Sequence, residues 1–150
     1  MARVFGCEFP EDLWYELDMD VWLRELGDGS VQLGMTDPAA TRAGRIVHVG
    51  AREGRTLVRG GRLATIESSK WVGAVPAPLA GTVIEVNREV LRDPQEINRD
   101  PYGAGWIVRL RRDPGQDPQL LGLLPGSEVV APYAEKLRLA GIQCIRCAPL

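Results

Sequence analysis

Apolar residues in this chain alternate with other residues in short runs, and glycine or proline ends each run before a long helix can form. Ser30 to Met35 places Val31, Leu33 and Met35 on one face after an Asp28-Gly29 turn, the pattern of a half-buried strand. Arg45 to Gly50, Leu63 to Glu67 and Gly81 to Asn87 alternate in the same way. Gly105 to Arg111 sets Trp106, Val108 and Leu110 on one face, as a strand close to the centre of a sheet with Trp106 anchoring the core. Gly60-Gly61 reads as a tight hairpin turn, and Asp93-Pro94 and Asp100-Pro101-Tyr102-Gly103 punctuate an irregular crossing. Thr36-Asp37-Pro38 is a helix-start signal with Gly44 as its stop, and Pro132 to Ala140 puts Tyr133 and Leu137 at helical spacing before Gly141. These patterns predict a mainly β fold, a small sandwich or barrel with short helices near the N-terminal third and at the C-terminus.

With 150 residues, 45% hydrophobic and 25% charged, the chain has the material for one globular domain. Eighteen Lys+Arg against twenty Asp+Glu argue against non-specific nucleic-acid binding, and the single histidine, His48, excludes chemistry needing several imidazoles. Residues 1 to 28 hold eight acids and two bases, an acidic edge able to steer a partner. The expected organisation is an acidic extension over 1–19, a domain over 20–140 and a cysteine-bearing tail over 141–150, mobile from Ile142 onward. No secretory pattern precedes the domain. The most apolar stretch, Trp71 to Val86, is broken by Gly73, Pro76, Pro78 and Gly81, so no membrane span is expected. Three cysteines, an odd number, point to a reducing compartment, and the cytoplasm is the expected location. Cys144-x-x-Cys147 lacks the second pair that a zinc site needs but suits a redox dithiol, while Cys7 stands alone near the other end.

The chemistry-bearing stretch is Leu63 to Asn87, in which two strand-like arms flank Ser68-Ser69-Lys70-Trp71. A lysine at a hairpin tip projects its amine into solvent, where acylation would remove the charge and leave a long arm. Glu67, three residues before it, sits on the shoulder of the hairpin as a negative handle, and Gly81 allows close backbone approach on the opposite arm.

This segment resembles the lipoyl-attachment hairpin of the glycine-cleavage H proteins, where the target lysine follows a Glu-Ser-x stretch and a glycine lies eleven residues later, as Glu67-Ser68-Ser69-Lys70 and Gly81 do here. Asn98-Arg99-Asp100-Pro101-Tyr102-Gly103-Ala104-Gly105-Trp106 matches the family's N-x-D-P-Y-G-x-G-W signature, and Gly29 to Thr36 is similar to its early G-x-x-x-x-G-x-T strand. The resemblance covers about residues 20 to 140. It implies a lipoyl-domain-like barrel-sandwich hybrid that is not itself an enzyme. It implies lipoate on Lys70, with Glu67 and Gly81 read by a lipoyl-attaching enzyme, in a monomeric carrier whose cofactor supplies the chemistry. The partners implied for an H protein are glycine decarboxylase, aminomethyltransferase and dihydrolipoamide dehydrogenase.

Some residues depart from the H-protein pattern. Trp71-Val72-Gly73 follows the lysine where a small residue is usual, Asp20-Val21-Trp22 replaces the early His-Glu/Thr-Trp, and the tail carries Cys144 and Cys147. In these features the chain is similar to the lipoate-binding proteins of the heterodisulfide-reductase-like sulfur-oxidation pathway. That resemblance implies an arm carrying sulfur-derived groups or reducing equivalents between a heterodisulfide-reductase-like complex and other sulfur-transfer proteins. Trp71 would then pack against the arm or anchor a docked partner.

Overall fold

Glycines and prolines cut the chain into twelve short strands and four α-helices among residues 1–145, the part that this computed structural model describes. In chain order these are β1 (Ala2–Val4), β2 (Cys7–Phe9), β3 (Trp14–Glu16), β4 (Val21–Glu25), β5 (Ser30–Met35), α1 (Asp37–Ala43), β6 (Ile46–Gly50), β7 (Thr56–Leu57), β8 (Arg62–Ser68), β9 (Val72–Pro76), β10 (Gly81–Val86), α2 (Arg88–Arg92), α3 (Glu96–Arg99), β11 (Val108–Arg112), β12 (Leu124–Pro125) and α4 (Val130–Ala140). A seven-stranded sheet runs β12-β3-β4-β5-β11-β10-β7 and a three-stranded sheet runs β6-β8-β9, every pair antiparallel. The fold is mainly β, a sandwich with α1 and α4 at the expected places and two further short helices, α2 and α3, in the crossing segment.

Period-two alternation explains the two cores. On β4, Val21 and Leu23 face the smaller sheet and join Val31, Leu33, Val49, Ile66 and Val75 in the main core. Trp22 points the other way, into a second core with Phe9, Tyr15, Tyr102, Tyr133 and Leu137. Its indole lies across Gly34 on β5, where any Cβ would stand 2.6 Å from the ring, and its Nε1 donates to the Pro101 carbonyl at 2.9 Å. Strand β11 lies between β5 and β10, as its apolar face required.

Five expectations need correction. Residues 1–19 are no loose extension: they supply β1, β2 and β3, and β3 pairs with β4 and β12 inside the large sheet. Half of the acidic edge is compensated by bases from the rest of the chain, because Glu16 pairs with Arg59, Asp20 with Lys136, Glu25 with Arg112 and Asp28 with Arg109. Gly60-Gly61 makes a turn, but the strands it joins belong to different sheets; Gly60 N–H donates to the Ala77 carbonyl at 2.8 Å and Ala77 N–H to the Gly61 carbonyl at 2.6 Å. Strand β11 starts at Val108, so Gly105 and Trp106 stay in a closed loop in which Gly105 N–H donates to the Asp100 carbonyl. Trp106 is only half-buried against the second core, and Trp22 fills the central place instead. Finally, the tail is anchored as far as residue 145: Cys144 is buried and disulfide-bonded to Cys7, 137 positions away. Cys147 lies outside the described residues.

Packing around Gly34 predicts a specific intolerance. Gly34→Val is expected to cost about 1–3 kcal/mol through overpacking against Trp22, read as a lowered thermal midpoint. Gly27→Ala, at a position with nothing within 4 Å, should change stability by less than about 0.5 kcal/mol.

A second expectation follows from the three tyrosines, Tyr15, Tyr102 and Tyr133, which are all the chain has. Burial, helped by nearby acidic groups, holds each phenol above its ordinary value. The unfolded phenols lose their protons near pH ~10 and the folded ones do not. This contribution to stability is therefore intact below that pH and is lost as the pH rises beyond it. In an alkaline titration, tyrosinate absorbance should appear only together with loss of the native circular-dichroism spectrum.

Candidate functional site

Strands β8 and β9 form a hairpin in which Glu67 faces Val72 across the register, leaving Ser68 to Trp71 as its tip. The tip is fixed from two sides. Internally, Ser68 N–H donates to the Trp71 carbonyl at 2.8 Å and Lys70 N–H donates to Ser68 Oγ at 3.3 Å. Externally, Ser69 N–H donates to the Arg45 carbonyl at 3.1 Å, tying the tip to the joint between α1 and β6.

Lys70 is exposed, and its stem passes over Gly44, the C-cap of α1. A Cβ at Gly44 would stand 2.6 Å from Lys70 Cε, and φ there is +75°, so glycine both turns the chain out of the helix and clears the lysine. Asn98 locks this joint. Its Oδ1 accepts from Ile46 N–H at 3.0 Å, and its Nδ2 donates to the Gly44 carbonyl at 2.8 Å. The chain has two lysines. Lys136 is held by the Asp20 carboxylate at 3.0 Å and the Leu17 carbonyl. The Lys70 amine, by contrast, has no ion pair or hydrogen bond among the described residues.

Beside the tip opens a cleft of about 440 Å³, with Met19, Met35 and Ala43 on one side, Trp71 and Val75 on the other, and Lys70 at its border. That volume falls within the roughly 300–1,000 Å³ of small-molecule sites. Trp71 is 42% exposed, and its ring lies flat on Gly73, where a Cβ would stand 2.0 Å from Cζ2. The indole is thus a preformed wall of the cleft. Asp20, also on the cleft, takes the left-handed conformation (φ +55°) and accepts from Tyr133 Oη at 3.1 Å as well as from Lys136. The cleft is amphipathic: Asp18, Asp20 and Arg42 line it beside the thioethers and the indole. An exposed, unpaired amine on a pinned tip, next to such a cleft, fits a lipoyl group, whose chain and dithiolane are apolar and sulfur-bearing and can lie along the Met19, Met35 and Trp71 part of the lining.

The other residues expected at the site fall into different places. Glu67 is exposed on the same hairpin as Lys70 and is in register with His48 on β6. Gly81 is buried in the large sheet between Leu57 and Arg112, where a Cβ would stand 2.3 Å from the Arg111 carbonyl oxygen. Packing accounts for this glycine, and a docking enzyme has no access to it. Tyr102 is a brace: its hydroxyl donates to the Glu8 carbonyl at 2.6 Å and accepts from Asp37 N–H at 2.9 Å, joining β2 to the start of α1. Cys144 bonds to Cys7 instead of forming a dithiol with its near neighbour in sequence. Gly44, Asn98 and Asp20 escaped sequence reading. A glycine closing a helix next to a strand was visible, but its meeting with a lysine 26 positions away was not.

Comparison with known proteins agrees with this geometry. The family described as glycine cleavage H-protein matches residues 13–133. The chain is 39% identical over 149 residues to a probable glycine cleavage system H protein 2 of Sulfurisphaera tokodaii, covering 97% of this chain and 99% of that protein. It is 48% identical over 107 residues to glycine cleavage system H protein 3 of Aquifex aeolicus, covering 71% of this chain and 66% of that one. A crystal structure of a glycine cleavage system H protein from Mycobacterium marinum superposes with a TM-score of 0.70 at 30% identity, covering 89% of this chain and 99% of that chain.

The Asn98 clamp yields a prediction. Asn98→Ala leaves Ile46 N–H and the Gly44 carbonyl without their partner, and should cost about 1–3 kcal/mol. Hydrogen exchange should accelerate at the Ile46 and Ser69 amides together, whereas amides of β4 should accelerate only as far as global stability falls.

Proposed function

The chain belongs to the glycine cleavage H-protein family, and we propose that Lys70 is the residue through which it carries its lipoate. Members of this family are lipoyl carriers with lipoate covalently attached to a lysine, and they are not catalysts themselves. One observation carries the assignment. Of the two lysines, Lys136 is committed to Asp20 and the Leu17 carbonyl, and Lys70 alone stands exposed on a fixed tip. Attached lipoate supplies a dithiolane that opens to two thiols and takes up a transferred group or a pair of electrons. The protein's part is presentation: the Ser69–Arg45 bond and the Asn98 clamp hold the base of the arm, and tethering raises its effective concentration at each docked partner. Between visits, the part of the cleft walled by Met19, Met35 and Trp71 offers the arm a resting place through sulfur and indole contacts. No helix is long and apolar enough to cross a membrane among the described residues.

The cargo best supported by the family match is the aminomethyl group released from glycine, taken up at glycine decarboxylase and delivered to an aminomethyltransferase, with dihydrolipoamide dehydrogenase reoxidising the arm. A second reading rests on Trp71. A broad indole fixed on Gly73 directly after the attachment lysine suits a sulfur-loaded arm, and the family's relatives in Aquifex aeolicus are numbered as high as five, more carriers than a single shuttle needs. In that reading the arm serves sulfur transfer with a heterodisulfide-reductase-like complex.

Co-expression with a lipoyl-attaching system should add about 188 Da, the mass of lipoate less one water. Lys136→Arg should keep this gain and Lys70→Arg should lose it; the reverse outcome refutes the assignment. Glycine decarboxylase with glycine should then load the modified protein. Failure to load, combined with genes for heterodisulfide-reductase-like subunits beside this one, favours the sulfur reading.

A further inference from the structure

Beyond the carrier role, and resting on it, we infer that the Cys7–Cys144 disulfide is a second redox couple of this protein, one that exchanges electrons with the arm on Lys70. The two cysteines lie outside the segment that matches the family, and their bond closes the two ends of the chain over the face of α1 away from the cleft.

The position of this disulfide relative to Lys70 supports the assignment. Thr41 Oγ1 donates to Cys144 Sγ at 3.3 Å, and Gly44, which the lysine stem crosses, lies one helical turn further along, its N–H donating to the Thr41 carbonyl at 3.3 Å. Residues three apart on a helix share a face. The path from Lys70 Nζ over Gly44 and Thr41 to Cys144 Sγ is no longer than roughly 18 Å, and the straight line is shorter, comparable to the ~10–15 Å that a lysine and its lipoyl chain span. From its base over Gly44 the arm thus has two directions open to it: into the cleft, or along the Gly44–Thr41 row to the disulfide.

Both sulfurs are buried in the closed state, and Cys144 is the one that a local opening uncovers first. It is 5% exposed and Cys7 is fully buried in its hairpin, and Cys144 sits in an irregular stretch between exposed Gln143 and Ile145. That stretch is held by Cys144 N–H donating to the Phe5 carbonyl at 3.0 Å, by Ile142 N–H donating to the Leu137 carbonyl at 3.0 Å and by the disulfide itself, and none of these bonds belongs to the seven-stranded or the three-stranded sheet, so its opening is local. The reduced state also has partners ready. Asp37 lies with both sulfurs inside 4.8 Å, an acceptor for a Cys7 thiol, and the Thr41 hydroxyl stays on Cys144.

The exchange balances without a further reactant. The Cys7–Cys144 bond breaks and each sulfur takes one electron and one proton. The two thiols of the reduced arm give up the same two electrons and two protons and close their own disulfide. A carrier built this way holds a second electron pair while its arm is free to accept again.

The test mixes equal amounts of lipoylated and unlipoylated full-length protein with dihydrolipoamide dehydrogenase and NADH, then traps thiols with a maleimide. Intact mass separates the two populations by the lipoyl increment, and trypsin places Cys144 and Cys147 on different peptides because Arg146 lies between them. The lipoylated population should gain the arm's pair of labels and one more on each of Cys7 and Cys144. It should gain these last two about 100-fold faster than the unlipoylated molecules beside it, as tethering predicts. Equal labelling of Cys7 and Cys144 in both populations, or an arm fully labelled with both cysteines untouched, overturns the inference and leaves the carrier role standing. Absence of any lipoyl increment on Lys70 overturns both.

Discussion

A lysine that is to carry an arm needs a fixed backbone and a free amine, and for Lys70, the proposed attachment residue, the Ser69 N–H bond to the Arg45 carbonyl reconciles the two. A two-stranded hairpin alone is marginally stable in water. Here its tip borrows the rigidity of the α1–β6 joint, and that joint in turn borrows from Asn98, which reaches in from the crossing segment to bind Ile46 and Gly44. The loop that carries Tyr102 and Pro101 extends the same support outward: Tyr102 braces β2 against α1, and the Pro101 carbonyl holds Trp22 in the second core. The signature Asn98 to Trp106 is thus scaffolding for a site that it does not line, which is why it belongs with the lysine without touching it.

Charge is sorted on the same principle. Four acids of the N-terminal region, Glu16, Asp20, Glu25 and Asp28, are matched by bases from the body, and the most buried of these pairs, Asp20 with Lys136, also takes a hydrogen bond from Tyr133. Such a pair is costly to break and hard to modify. Of the two lysines, the one left unpaired is an amine above a glycine, beside a cleft whose walls carry thioether and indole groups together with Asp18, Asp20 and Arg42. The division between a neutralised lysine and an available one is set by packing, not by the chemistry of either side chain.

Much of this was legible in the residues themselves. Strand β5, the β8–β9 hairpin and the two capped helices α1 and α4 carry period, cap and stop signals within a few positions of each other, so local physics decides them. The exposure of Lys70 follows from its place at a turn. What escaped reading depends on contacts between distant parts of the chain. Helices α2 and α3 span five and four residues, too short for a period to register. Strand β1 pairs only with β2, and neither is long enough to alternate visibly. Cys7 and Cys144 meet because β2 and the end of α4 pack on one core, and spacing along the chain pointed instead to Cys147. At Gly81 the close backbone approach was legible, but its burial between neighbouring strands, out of reach of an attaching enzyme, was not.

The most direct test of the account is a peptide map of the protein purified from its native source. Lipoylation of Lys70 blocks tryptic cleavage there, so a single peptide running from Leu63 to Arg88 and bearing the lipoyl group is the predicted result. Cleavage after Lys70, with the lipoyl group found on Lys136 or on neither lysine, would contradict it.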